Sequence, residues 1–136
     1  MSRIAAAFER CKGEGRLALI AYLTVGYPRL DVTPELVRVA AASGADLVEL
    51  GIPFSDPLAD GRTIQAASQA ALRGGVTVQR ALEAGAAARG LTDVPMLFMT
   101  YLNPILAYGT QAFCRAAKEA GIDGLIVPDL PPAEAT

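Results

Sequence analysis

The chain has 136 residues, 52% hydrophobic and 19% charged, with a formal net charge of −2. That composition suits one globular domain or part of a larger one, and without a basic run nucleic acid and anionic membranes are poor partners. Histidine is absent, so a Ser-His-Asp triad, a His-ligated zinc and a His general base cannot be built from this chain alone.

The N-terminal stretch MSRIAAAFERCKGEGR predicts a short helix. Charges at Arg3, Glu9, Arg10 and Lys12 interrupt it too soon for a signal peptide. No segment reaches the ~18 apolar residues of a membrane span. Cys11 and Cys114 fall far apart, each in a predicted helix. They read as reduced, semi-buried thiols of a cytoplasmic protein. The two lysines, Lys12 and Lys118, also lie in helical patterns, which argues against a Schiff-base lysine at a strand end. Acid–base chemistry, if present, falls to carboxylates and tyrosines.

Residues 17–25, LALIAYLTV, form a nearly continuous apolar run ending at Gly26, the pattern of a strand covered on both faces. Thr33 is the expected cap of the next helix, with Pro34 at its first position. Leu36, Val37, Ala40 and Ala41 line its apolar face, and Gly44 marks its end. Residues 46–52, DLVELGI, predict the second strand, and 53–61, PFSDPLADG, a loop. Ile64, Ala67, Ser68, Ala71 and Leu72 repeat with helical spacing up to Gly74-Gly75. Thr77 is placed to cap a helix running to about Ala88, closed by Gly90. Residues 94–101, VPMLFMTY, predict the third strand, Thr110 opens a helix containing Phe113, Ala116, Ala117 and Ala120, and 124–128, GLIVP, predict the fourth strand.

Strands joined by helices run parallel with right-handed crossovers. Two α/β architectures fit: an open doubly wound sheet, or half of a (βα)8 TIM barrel, which normally needs ~250 residues. The end directly after a strand favours the barrel. On that reading residues 1–136 are the N-terminal half of one TIM-barrel domain, and the C-terminal half is absent.

The ionisable residues cluster along this pattern. Glu49 lies inside the second strand, sharing a face with Leu47. A carboxylate there is costly to bury without a partner, so it is either a structural group satisfied by nearby donors or a functional one. Asp56, Asp60 and Asp129 follow strands, Tyr101 and Asn103 end the third strand, and Tyr22 lies late in the first. All fall on the carboxyl side of the strands, where barrels and open sheets both place ligand sites. Turn-making explains any one of these aspartates equally well; their coincidence points to a site. Gly13 and Gly15 follow no strand, so no dinucleotide fingerprint is present. Glu49, Asp56 and Asp60 fix no ligand geometry, and no metal site is expected.

The run Glu49-Leu50-Gly51-Ile52-Pro53-Phe54-Ser55-Asp56-Pro57-Leu58-Ala59-Asp60-Gly61 resembles the signature of the tryptophan synthase α subunit family. The resemblance extends through Ala21-Tyr22-Leu23-Thr24-Val25-Gly26-Tyr27-Pro28, Gly44-Ala45-Asp46, Tyr101-Leu102-Asn103-Pro104, Gly121-Ile122-Asp123-Gly124 and Val127-Pro128-Asp129-Leu130-Pro131. It covers nearly the whole chain but about half of the family's barrel. It implies a cytoplasmic lyase that cleaves indole-3-glycerol phosphate to indole and glyceraldehyde 3-phosphate by a retro-aldol reaction. Glu49 matches the family's general acid–base residue, and Asp60 the carboxylate beside the indole N–H, which stabilises the developing cation. Tyr22, Met99, Tyr101 and Ile126 resemble pocket-lining positions, with core packing as their plainer role. Asp129 resembles a supporting polar position of the pocket.

The resemblance further implies a partner. Pro53, Asp56, Pro57, Leu58 and Asn103 fall in segments that face the β subunit, a pyridoxal-phosphate enzyme, in an α2β2 complex. The α chain itself would carry no cofactor. One departure is Arg62, where the family commonly has proline after Asp60-Gly61. Two other readings remain: a non-catalytic half-barrel that self-associates or acts as an interaction module, and a sugar-phosphate isomerase or aldolase on a similar barrel. The signature and the lack of a strand-end lysine disfavour the last.

Overall fold

Side chains alternate across a strand, so in a parallel sheet the register decides which residues share a face. The computed structural model describes residues 1–135. Its strands are β1 (Ile20–Thr24), β2 (Leu47–Gly51), β3 (Met96–Met99) and β4 (Gly124–Ile126), all parallel and in the spatial order β1-β2-β3-β4. Its helices are α1 (Arg3–Gly13), α2 (Thr33–Ala42), α3 (Arg62–Arg73), α4 (Val78–Arg89), α5 (Leu102–Tyr108) and α6 (Thr110–Glu119).

The register pairs Tyr22 with Glu49 and Glu49 with Leu97, then Gly51 with Met99 and Met99 with Ile126. These residues share one face, which stays half-exposed at Tyr22, Glu49, Leu97, Met99 and Ile126. The opposite face is the core. Val48, Leu50, Met96 and Phe98 are fully buried there with Val37, Ala81, Ala88 and Phe113 from α2, α4 and α6. The Phe98 and Phe113 rings lie 6.5 Å apart. Helix α4 approaches closely because Gly85 has no Cβ, which would stand 2.9 Å from the Phe98 ring.

The amino-terminal ends of the strands are closed by α1. Ser2 caps this helix by accepting the Ala5 N–H. Arg10 and Arg16 both reach Asp46, which precedes β2, and Asp46 also accepts the Leu19 N–H at 2.8 Å. Arg3 and Arg89 both reach Asp123, which precedes β4 and accepts the Met96 N–H. The Arg16 guanidinium, followed by the Leu19 N–H, holds the buried Asp46 carboxyl well below the usual aspartate range. A carboxyl depressed on folding contributes stability that is complete above its unfolded value of ~3.9 and lost as pH falls below it. Urea midpoints should therefore show a gap between wild type and Asp46→Asn that is widest near pH 6 and narrows steadily from about pH 4 downward. A gap that does not change with pH would rule out this ion-pair origin.

The structure corrects several expectations. Each strand is shorter than its apolar run; Val25, Ile52 and Thr100 are buried one residue past the paired positions, where their N–H groups still donate to the carbonyls of Gly51, Met99 and Ile126 on the neighbouring strands. Thr33 is not the cap of α2. It is already helical, and its hydroxyl accepts the Gly26 N–H at 2.9 Å, tying the turn after β1 to α2. Neither Tyr101 nor Asn103 ends β3, which stops at Met99: Tyr101 immediately precedes α5 and Asn103 lies within it, with Pro104 tolerated in the first helical turn. The two thiols are free, but Cys11 is buried and Cys114 exposed, so they do not share one semi-buried character. No described helix is long and apolar enough to cross a membrane.

Candidate active site

Glu49 stands mid-strand on the half-exposed face, between Tyr22 on β1 and Leu97 on β3. No ion pair among the described residues neutralises it or Asp60. Two residues on, Gly51 makes room for Tyr22: a Cβ at Gly51 would fall on the Tyr22 hydroxyl. Glycine here lets the tyrosine ring lie across β2. Burial pushes the Tyr22 hydroxyl up, against a hydrogen bond with Thr24; the charges of Asp60 and Glu49 and the Tyr101 hydroxyl add to the rise. Four of the predicted residues, two on the strands β1 and β2 and two in the segments that follow β2 and β3, thus act on one another.

Asp60 ends the loop that leads from β2 to α3, and its side chain is half-buried. Burial raises its carboxyl above the ordinary aspartate range, and a hydrogen bond with Tyr101 opposes that rise. Gln65 in the first turns of α3 donates its amide to the Asp60 carbonyl at 2.8 Å. From the other side, the Tyr101 hydroxyl accepts the Ala59 N–H at 3.0 Å. Tyr101 is only 4% exposed, and its ring packs on Phe54 with centroids 5.4 Å apart. Asp129 is exposed and accepts the Leu102 N–H at 2.9 Å, just after Tyr101. Met99 and Ile126 lie side by side on the Glu49 face, both half-buried.

The remaining predicted residues occupy the adjoining rim. Pro53 is buried, Pro57 half-buried and Asp56 exposed, while Leu58 is 83% exposed at the loop tip. Pro53, Phe54, Asn103 and Pro104 help line a cleft of about 350 Å³ between this loop and α5. Among the described residues no cluster of acidic, histidine or cysteine side chains could hold a metal ion, so Glu49, Asp56 and Asp60 do not converge as ligands.

A family model described as tryptophan synthase alpha chain matches residues 8–136. The chain belongs to the tryptophan synthase α chain family. The Dehalococcoides mccartyi tryptophan synthase alpha chain is 51% identical over 135 residues, covering 99% of this chain and 51% of its own length. The Chloroflexus aurantiacus tryptophan synthase alpha chain is 52% identical over 136 residues, with 99% and 51% covered. Among solved structures, tryptophan synthase subunit alpha from Legionella pneumophila superposes with a TM-score of 0.95 at 42% identity, over 99% of this chain and 52% of that one. Tryptophan synthase from M. tuberculosis gives a TM-score of 0.94 at 44% identity, over 100% and 55%. The chain thus spans about half the length of these relatives, and its four strands are the first half of the tryptophan synthase α TIM barrel.

Within that tryptophan synthase α framework, sequence reasoning passed over three groups at the site. Phe54 and the Ala59 N–H both engage Tyr101, and Gln65 holds the Asp60 carbonyl. Phe54 and Ala59 sit inside the signature run, but nothing in the run indicates a contact with Tyr101, which is 42 positions from Ala59 and farther still from Phe54.

Proposed function

We propose that this chain is the acid–base half of an enzyme that cleaves indole-3-glycerol phosphate to indole and glyceraldehyde 3-phosphate. The observation that carries the reading is Glu49 beside Tyr22 in the sheet register on the half-exposed face, with Asp60 in the loop that leaves the same strand, two carboxylates for which no ion pair is found among the described residues. The reaction needs a proton added at indole C3, a stabiliser for the resulting indolenine cation, and a base for the glycerol hydroxyl. Protonation makes C3 tetrahedral; loss of the hydroxyl proton then drives cleavage of the bond to C3, whose electrons return to the indole ring. Glu49 exchanges the protons. Asp60, ionised, sits opposite the indole nitrogen and stabilises its positive charge. The two carboxyls differ in setting, one on a strand and one in a loop under Tyr101, which suits them to separate roles.

Tyr22, Met99 and Ile126 form the apolar wall for the indole ring, and the substrate phosphate is gripped by the second half of the barrel. The rim of Pro53, Asp56, Pro57, Leu58 and Asn103 faces the β subunit in an α2β2 complex, and pyridoxal phosphate belongs to that partner. The highly exposed Leu58 and the adjoining cleft support a protein contact there. Free thiols at Cys11 and Cys114 suit a cytoplasmic setting. The test is turnover of indole-3-glycerol phosphate by the polypeptide completed to the relatives' length, with indole and glyceraldehyde 3-phosphate followed separately. Absence of indole above the enzyme-free rate would sink the reading.

A further inference from the structure

We propose that Tyr101 is a positioning residue: it straps the loop between β2 and α3 at both ends and so sets where the Asp60 carboxylate stands. The proposal rests on the lyase reading for its kinetic consequences, but the strap itself stands on geometry. The loop leaves β2 at Gly51 and reaches α3 at Arg62. Near its start, Phe54 packs its ring on Tyr101 with a 32° tilt. Near its end, the Ala59 N–H donates to the Tyr101 hydroxyl. One side chain therefore touches the loop on either side of its exposed tip at Ser55, Asp56 and Leu58.

Tyr101 is fit for this work because it does not move freely itself. It is the residue before α5, almost wholly buried. The next backbone N–H, at Leu102, is accepted by Asp129 from the segment after β4. Position thus passes from β4 through the start of α5 to the loop. A phenol can donate one hydrogen bond while accepting others. Accepting from Ala59 leaves the Tyr101 proton free for a neighbouring acceptor, and Asp60 is the residue that follows Ala59; a donor to that carboxylate favours its ionised form. A tyrosine whose ring is buried and whose hydroxyl is committed to the loop is better read as a support for Asp60 than as an open wall of the indole pocket.

Tyr101→Phe keeps the ring and removes the hydroxyl. In the full-length enzyme, amide hydrogen exchange at Ala59 should quicken about fivefold, the effect of losing one hydrogen bond of ordinary strength. kcat should fall by a similar factor with KM within about twofold, because the loss falls on a group that acts in the transition state. The acidic limb of kcat/KM should move to higher pH, since Asp60 loses the donor that favoured its ionised form. Tyr22→Phe removes the neighbouring hydroxyl, which does not bond the loop, and should leave Ala59 exchange at the wild-type rate. Unchanged Ala59 exchange in Tyr101→Phe, an unmoved acidic limb, or equal quickening in Tyr22→Phe would each overturn the strap. If the wild-type enzyme shows no lyase turnover, the functional reading fails, and the exchange comparison still decides whether the strap exists.

Discussion

Replacing Glu49 with Gln in the full-length enzyme should lower kcat for indole-3-glycerol phosphate cleavage by about 10²–10⁴-fold, the range that a positioned general acid–base group supplies. The amide matches the carboxylate in shape but neither takes nor delivers a proton at neutral pH. The same variant decides between the two meanings of a carboxylate inside a strand. A structural Glu49 would be tied to a cation or a set of donors, and losing it would lower stability. Here no ion pair among the described residues holds it, and the side chain is half-exposed on the open face. The urea midpoint of Glu49→Gln should therefore change little, by about 0.5 kcal/mol or less. Turnover that survives while stability drops would reverse the assignment and make Glu49 a packing group.

Asp60→Asn should lower kcat by about 10²–10³-fold, the loss typical of removing one preorganised electrostatic partner from a developing charge. Its pH behaviour identifies it. Burial raises the Asp60 carboxyl above the ordinary aspartate value, and the hydrogen bond with Tyr101 offsets part of the rise. The ionised form is the active one, so wild-type kcat/KM should decline as pH falls through this raised value, and the decline should begin above the ~3.9 of a free aspartate. In Asp60→Asn that contribution to the acidic limb should vanish. The stability sign runs the other way. A carboxyl whose pKa is raised on folding opposes folding once it is ionised, so the Asn variant should be as stable as wild type at pH 7 or more so. Measuring rate and urea midpoint across pH 4–8 checks both; an Asn variant that keeps the wild-type acidic limb would remove Asp60 from the reaction.

The parts of this protein legible in the sequence are those written in local pattern. The strands carrying Glu49 and Phe98 announce themselves as apolar runs, and Thr77 and Gly90 bound α4 as read. The signature around Asp60 places the loop. What was not legible depends on contacts distant in sequence. Thr33 has the chemistry of a helix cap, but its hydroxyl is engaged by Gly26 across the preceding turn. Helix α5 hides behind Asn103 and Pro104, whose turn preference is overridden once Asp129, 27 residues on from Leu102, accepts its first N–H. Tyr101 takes a pocket position from the resemblance, which says nothing of its contact with the loop before α3. Its bond to Ala59 spans 42 residues, and no periodicity records such a pair. The strand ends were overread for a simpler reason: burial and a last backbone bond to the neighbouring strand continue one residue past the paired positions, at Val25, Ile52 and Thr100.

The two arginine-bridged aspartates under α1 sit at the opposite ends of the strands from Asp60, which follows the carboxyl end of β2. A strand of five residues spans roughly 17 Å, and sites separated by more than ~10 Å with no shared partners tend to act additively. Random substitutions should accordingly sort into two uncoupled populations, those near Asp46 and Asp123 changing how much folded protein accumulates and those near Asp60 changing what that protein does. A lineage could then retune the reacting end for a new substrate without eroding the anchored one, and a directed-evolution campaign on this barrel half would do well to confine its libraries to the carboxyl-side loops.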